Sequence, residues 1–406
     1  MIISELQERA LTYLLIYLCS IAFLSCAPVY FSHKPPPGEV LIRIALQRRQ
    51  PKVVVYGSYN ISISDRGHNG NIPPGESWNI LPAGSGLTAE TNRGTVIENI
   101  EGRIRLWSAD EYFINQKRVK GAIEIRREID QGLLIIAEMP LEEYLPGVLA
   151  GEIGGLADKT PEAAMAQAII SRSYAFARIG SSPQSYYDIE AGTAHQCFDL
   201  DNMASPTIKR AVMDTKGKVL AFQGKVISPN FHSTCGGRTV RPSEVWNARD
   251  EDFPYLESVE DKWCSNSPKY SWSDTIMAEE LAAKLFPGRR EVVKEVKVLK
   301  VGKGLKAGLP GRVVSLMVST GAGDTVLTKS AVRNGLRDKP LLSAWFEMEN
   351  RRNAQGYIEK IILTGRGFGH GVGLCQWGAI GMARAGKSYK RILKHYYKGV
   401  EIERVY

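Results

Sequence analysis

Long hydrophobic runs are missing from this chain of 406 residues. The longest, Leu11–Leu24 (LTYLLIYLCSIAFL), has 14 residues. That is short for a bilayer span, which takes about 20 apolar residues, and is the right length for the core of an export signal. No HExxH helix occurs, so the commonest zinc-hydrolase pattern is absent. Nor is there a run of lysine and arginine interleaved with aromatics, so nucleic acid is the weakest of the polyanionic partners open to a chain of net charge +9. A membrane face or a cell wall remains. Internal repeats and low-complexity tracts are lacking too, and cysteine is scarce, with six in all.

What is present divides the chain. Ser25-Cys26 ends the apolar run as FLSC, which resembles a lipoprotein cleavage site with Cys26 as the lipidated residue. An uncleaved signal anchor is the competing reading, since Glu5 and Glu8 precede the run. Either way the chain is expected to be exported to the cell envelope or periplasm, with membrane attachment through lipid on Cys26. Residues 1–26 are then a signal, and 27–38, with Pro35-Pro36-Pro37, a stiff tether. Cys197, Cys235, Cys264 and Cys375 would remain in an oxidising compartment.

Residues 39–115 read as β-rich. EVLIRIAL alternates at Val40, Ile42, Ile44 and Leu46, and short β runs follow at 53–56, 61–64 and 104–107, then at 122–125 and 133–137. Gly67–Gly86 reads as a long loop or an elaborated hairpin. Residues 116–240 hold the helical core. Leu141, Tyr144, Leu145, Val148 and Leu149 make one apolar stripe, Pro140 suits a helix start, and Gly154-Gly155 a helix stop. Thr160-Pro161-Glu162 opens a second, alanine-rich helix with a capping hydroxyl, which runs to Gly180. In 241–406, a helix is expected near Ala278–Phe286, strands at 296–301, 313–319 and 357–363, and a helix opened by Gln376 and Trp377. The whole predicts an α+β fold: a β-rich N-terminal part, a helix-break-helix unit on a mixed sheet, a second β unit and a C-terminal helix. Trp246, Trp263, Trp272 and Trp377 read as core or rim packing.

Glu152 is left at the carbonyl end of the first helix. The partial negative charge there disfavours a carboxylate and raises its pKa, which suits a general acid, although a solvated glutamate fits the same placement. In Gly365–Gly373 glycine alternates with Arg366, Phe368, His370 and Val372. The pattern fits an extended strand with one bare face or a turn with positive φ.

PLEEYLPGVLAGEI, PEAAMAQAIISRSYA, FHSTCGGRT, GRGFGHGVGLCQWGAIGMA and the tail SYKRILKHYYKGVEIERVY together resemble the signature of the SpoIID/LytB family (stage II sporulation protein D), in family order over about residues 94–406. The resemblance implies a peptidoglycan lytic transglycosylase with Glu152 as catalytic acid. The alternative it carries is a non-catalytic, wall-binding enhancer of an N-acetylmuramoyl-L-alanine amidase. It implies glycan contacts from Gln167, Arg172, Tyr174, His370 and Gln376, with His370 sharing a cleft with Glu152. One carboxylate suffices, because the muramic acid's own primary hydroxyl attacks its anomeric carbon to leave an anhydro end, so no cofactor is required for catalysis. Peptidoglycan strands and an amidase are the implied partners. His195, Cys197, His232 and Cys235 are ligand types that zinc prefers, and some family members bind zinc near the position of TAHQCF. A structural zinc on these four is one expectation. A disulfide such as Cys235–Cys264, stabilising by roughly 3–4 kcal/mol, is the other.

Overall fold

The computed structural model describes residues 39–64, 69–128, 132–182, 185–192, 195–198, 204–304 and 310–406. The apolar run, Cys26 and the proline tether lie outside these. Ten strands come first: β1 (Leu41–Gln50), β2 (Val53–Gly57), β3 (Ile61–Ser64), β4 (Asn69–Ile72), β5 (Ser77–Ala83), β6 (Gly86–Thr91), β7 (Val96–Ile100), β8 (Arg103–Ile114), β9 (Lys117–Glu128) and β10 (Gly132–Pro140). With β11 (Ile189–Glu190) they form one sheet, ordered β11-β1-β10-β9-β8-β2-β5-β6-β7, with β3 on β8 and β4 on β3. The alternation expected around Ile42 and Ile44 is realised, and both are fully buried. The segment expected as a loop or elaborated hairpin carries strands because Ile72, Trp78 and Ile80 enter the β core.

Helix α1 (Leu141–Glu152) continues directly from β10, and Glu142 and Glu143 occupy its first turn. Leu141, Tyr144, Leu145, Val148 and Leu149 form the buried stripe. A 3₁₀ turn over Gly154–Lys159 leads to α2 (Pro161–Phe176). Thr160 does not cap α2 as expected. Its hydroxyl turns back to donate to the Leu156 carbonyl at 2.7 Å. Glu162 stands in the first turn and also accepts the Tyr389 N–H at 2.6 Å. The helix also stops at Phe176, short of Gly180, with Ala177 closing its last turn.

Its alanines have a packing reason. Ala163, Ala166, Ile169 and Ile170 face one core, while Ala164, Ala168 and Ala175 face another shared with α1. A helix buried on both sides loses the one-sided stripe of a surface helix, and small side chains let its neighbours approach. The elements around it are α3 (Pro206–Asp214), β12 (Lys218–Phe222), β13 (Lys225–Val226) and β14 (Phe231–His232). Alternation across Lys225–Phe231 does not give one strand, as only its two ends pair.

The second β unit has its own apolar core. It contains β15 (Ser271–Met277), α4 (Ala278–Leu285), β16 (Glu295–Val301), β17 (Val313–Thr320), β18 (Gly323–Thr328), α5 (Ser330–Asn334), β19 (Phe346–Arg352) and β20 (Ile358–Arg366). The chain returns to α2 through β21 (Leu374–Cys375), α6 (Gln376–Arg384), α7 (Tyr389–Tyr396) and β22 (Glu401–Arg404), which pairs with β12. The fold is α+β.

The glycine-alternating segment takes the turn alternative. Gly367, Gly369, Gly371 and Gly373 all have positive φ, and β20 ends at Arg366. At Gly373 a Cβ would lie 1.9 Å from the Asn230 carbonyl oxygen, so backbone packs where a side chain would stand. This ribbon is laced to residues 231–240: Thr234 pairs with Phe368, Val240 with Val372, and β14 runs parallel to β21.

Candidate active site around Glu152

Glu152 is the last residue of α1 and is half-buried. Its Oε1 accepts the Cys197 N–H at 2.9 Å, and its Oε2 accepts from Gln376 Nε2 at 3.0 Å. The two donors come from segments 45 residues downstream and 224 residues downstream. Gly151 makes the first possible, since a Cβ there would lie 3.0 Å from the Cys197 carbonyl oxygen. The second depends on the lacing above. Trp377 N–H bonds to the Ser233 carbonyl at 3.1 Å, and the Cys375 sulfur accepts the Gly378 N–H at 3.3 Å, so the start of α6 is fixed and Gln376 with it.

Burial pushes the Glu152 carboxyl above its ordinary value. The Cys197 N–H, the Gln376 amide and the Cys197 thiol offset only part of that. The helix-end position agrees in sign, but desolvation is the dominant cause. Burial also pushes the Cys197 thiol up to about 11, with the Glu152 charge adding to it, so the thiol stays protonated at neutral pH.

Tyrosines line the same region. Tyr144 is fully buried, donates to Gln196 Oε1 at 3.0 Å and feels the Glu152 charge, as Tyr174 does. Arg178 stacks 3.6 Å above the Tyr174 ring, and His195 meets that ring edge-on at 6.4 Å. Sequence reasoning missed the roles of Cys197, Tyr144 and Gln196 beside Glu152. Tyr144 was legible only as an apolar-stripe residue, and no local spacing joins α1 to residues 196–197.

Of the residues expected to touch glycan, Gln376 and Tyr174 are gathered at Glu152, and three others are occupied elsewhere. Arg172 is fully buried, with Nε and Nη2 each 2.8 Å from the two oxygens of Glu142. Its Nη1 donates to the Lys218 carbonyl at 3.1 Å, so this guanidinium ties α1 to α2 and β12 instead of facing a ligand. Gln167 is buried and donates to Ser171 Oγ at 3.1 Å within its own helix. His370 Nδ1 accepts the Val372 N–H at 3.1 Å, its ring packs against Trp246 and His232, and burial with the Arg312 charge lowers its pKa to about 4. It is a neutral loop-locking histidine. The hydrogen bonds of Glu152 run to Cys197 and Gln376, while His370 Nδ1 is engaged within its own ribbon.

The expected zinc set does not assemble. His195 Nδ1 accepts the Glu190 N–H at 3.0 Å, Cys197 lies on Glu152, and His232 Nδ1 bonds to the Val372 carbonyl at 3.1 Å. Only Cys235 of the four belongs to a convergent group, and its companions there are Asp261, Cys264 and Cys375. The four thiols are free, so the Cys235–Cys264 disulfide is not formed here. The tryptophans pack as expected, Trp246, Trp263 and Trp377 on the central core and Trp272 on the second β core. Among the described residues no helix is long and apolar enough to cross a membrane.

Residues 129–222 match the family model of the stage II sporulation protein SpoIID, and residues 249–373 match a domain of unknown function, DUF8618. The chain is 33% identical to the stage II sporulation protein D of Bacillus subtilis, over 66% of this chain and 75% of that protein. It is 30% identical to an uncharacterized protein of Brachyspira hyodysenteriae, over 66% of this chain and 68% of the relative. A Bacillus subtilis amidase enhancer is 27% identical, over 64% of this chain and 40% of its own length. Glu152 lies inside the SpoIID match, and the chain belongs to the stage II sporulation protein D family.

Proposed function

We propose that the protein acts on the cell wall and cleaves peptidoglycan glycan strands as a lytic transglycosylase, with Glu152 as the only proton carrier. The observation that carries this reading is the Glu152 carboxyl itself: half-buried, raised in pKa by burial, and held at both oxygens by neutral donors. A carboxyl of that kind holds its proton to higher pH than an ordinary glutamate, which suits delivery of that proton to the glycosidic oxygen. The carboxylate left behind is stabilised in place by the Cys197 N–H and the Gln376 amide. It then takes the proton of the muramic acid's primary hydroxyl as that oxygen closes on the anomeric carbon. The glycosidic bond breaks, an internal ether forms, and Glu152 is protonated again.

A hydrolytic glycosidase would use a second carboxyl about 5–9.5 Å away. A lytic transglycosylase needs no such partner, because the muramic acid's own hydroxyl is the nucleophile, and the direct partners of Glu152 are the neutral Cys197 and Gln376. Support for a wall substrate comes from the family and from the net charge of +9, which suits a polyanionic matrix. The similarity to a protein named amidase enhancer favours a second reading, in which the chain binds glycan and stimulates an amidase. Lipid attachment at Cys26 and export belong to both readings and are proposed from the sequence alone.

The test is mass analysis of material released from purified sacculi and from peptide-free glycan. Anhydro ends are expected. Reducing ends would replace the proposal with hydrolysis, and no release, with stimulation of an added amidase, would replace it with the enhancer reading.

A further inference from the structure

Three cysteines and an aspartate from distant parts of the chain meet in the central core. Cys235, Asp261, Cys264 and Cys375 are all buried, and each offers a ligand atom within 4.8 Å of the others. Cys235 Sγ lies 3.4 Å from Cys264 Sγ and 3.2 Å from Asp261 Oδ2. We propose that these four residues form a structural zinc site that locks the FHSTCGGRT segment, the Asp261–Cys264 loop and the start of α6 to one another.

The spacing suits one ion. With zinc–sulfur bonds of about 2.3 Å, a tetrahedral site has sulfur–sulfur edges of about 3.8 Å, so small side-chain adjustments fit all four ligands around a centre. The surroundings of the sulfurs point the same way. Cys375 Sγ accepts the Cys235 N–H at 3.2 Å and the Gly378 N–H at 3.3 Å, and Cys235 Sγ accepts the Gly237 N–H at 3.4 Å. Backbone donors aimed at sulfur stabilise thiolates, as an outer shell does in metal sites. Asp261 is oriented in kind, with Oδ2 accepting from Tyr396 Oη at 2.9 Å and Oδ1 from Trp263 N–H at 2.9 Å. Three thiolates and a carboxylate exceed the ion's charge by two, and a buried cation stands beside them: Arg312, 3% exposed, donates Nη2 to the Cys235 carbonyl at 3.2 Å.

A Cys235–Cys264 disulfide is the chemical competitor. It would leave the Asp261 carboxylate buried with no cation bound to it and the Cys375 sulfur outside the linkage, whereas zinc engages all four groups and displaces the three thiol protons to solvent. The site is separate from the chemistry proposed at Glu152. Its bearing on that chemistry is positional, because Cys375 precedes Gln376, the residue bonded to Glu152.

The test is metal analysis of the full chain purified under anaerobic conditions. About one zinc per chain is expected. Cys235→Ala, Cys264→Ala and Cys375→Ala should each lower retained zinc about ten-fold or more, while His195→Ala and Cys197→Ser keep the full amount. Should the cysteine variants not fold, cobalt exchanged into the unaltered chain gives a second reading. Strong thiolate-to-cobalt charge-transfer absorption with a tetrahedral d–d envelope is expected. Absence of zinc with no uptake of cobalt, a Cys235–Cys264 disulfide in the peptide map, or zinc that follows His195 and Cys197 would each overturn the assignment.

Discussion

Glu142 and Glu152 stand in the first and last turns of the same helix, both half-buried, and the molecule drives them in opposite directions. Burial alone would raise both. At Glu142 two bonds from Arg172, the arginine charge, the Tyr406 hydroxyl at 2.5 Å and the Gly217 N–H outweigh burial and hold the carboxyl below its ordinary value. At Glu152 the partners are neutral, and burial wins. The difference lies in the cation. A carboxylate given a buried guanidinium becomes a structural tie, while one given only amide and thiol donors holds its proton to higher pH than an ordinary glutamate.

Exchanging the chemistry of either end should break this contrast. The largest effect is expected at the proposed acid: Glu152→Gln removes the transferable proton and keeps the shape, so release of anhydro ends should fall by about 10²–10⁴, with glycan binding retained in a pull-down on sacculi. Next is Arg172→Ala, which strands Glu142 in a half-buried site. Loss of one partner of a buried pair costs about 3–5 kcal/mol, visible in denaturant unfolding, and a glycan-contacting arginine would cost binding and leave stability intact. Gln376→Ala removes one bond to the charged form of Glu152. At about 1.5–3 kcal/mol for such a bond, the rate should drop roughly ten- to hundred-fold and the alkaline limb of the pH profile should move upward. An unshifted limb would place Gln376 on the substrate. The smallest effect is on stability. Glu152 is raised on folding, so its contribution is full below its unfolded pKa and is lost as pH rises through the folded value. Glu152→Gln should therefore stabilise at neutral pH, by about 1 kcal/mol or less, and be neutral in acid. Glu142 has the opposite sign: its contribution is present above the unfolded value and is lost as pH falls through the lowered one.

The asymmetry between these ends explains what the sequence could disclose. The bounds of α1, its apolar stripe and the position of Glu152 depend on neighbours within one or two turns, and they were legible. Arg172 read as a cleft residue because its partners, Glu142, Val212, Thr215 and Lys218, are 30 to 46 positions away. His195 and His232 read as metal ligands because they neighbour cysteines in sequence, yet the thiol group that forms draws on Cys375, 140 residues beyond Cys235. Alternating glycine fits both a strand and a positive-φ ribbon, and packing against residues 230–240 decides between them.

The account rests on one helix holding two glutamates at different proton affinities. Carbon-13 NMR of the side-chain carboxyls across pH, with Glu142→Gln and Glu152→Gln used to assign the two signals, measures this directly. Glu152 is expected to titrate above the ordinary 4.5 and Glu142 below it. Coincident midpoints, or Glu142 titrating above Glu152, would contradict the account.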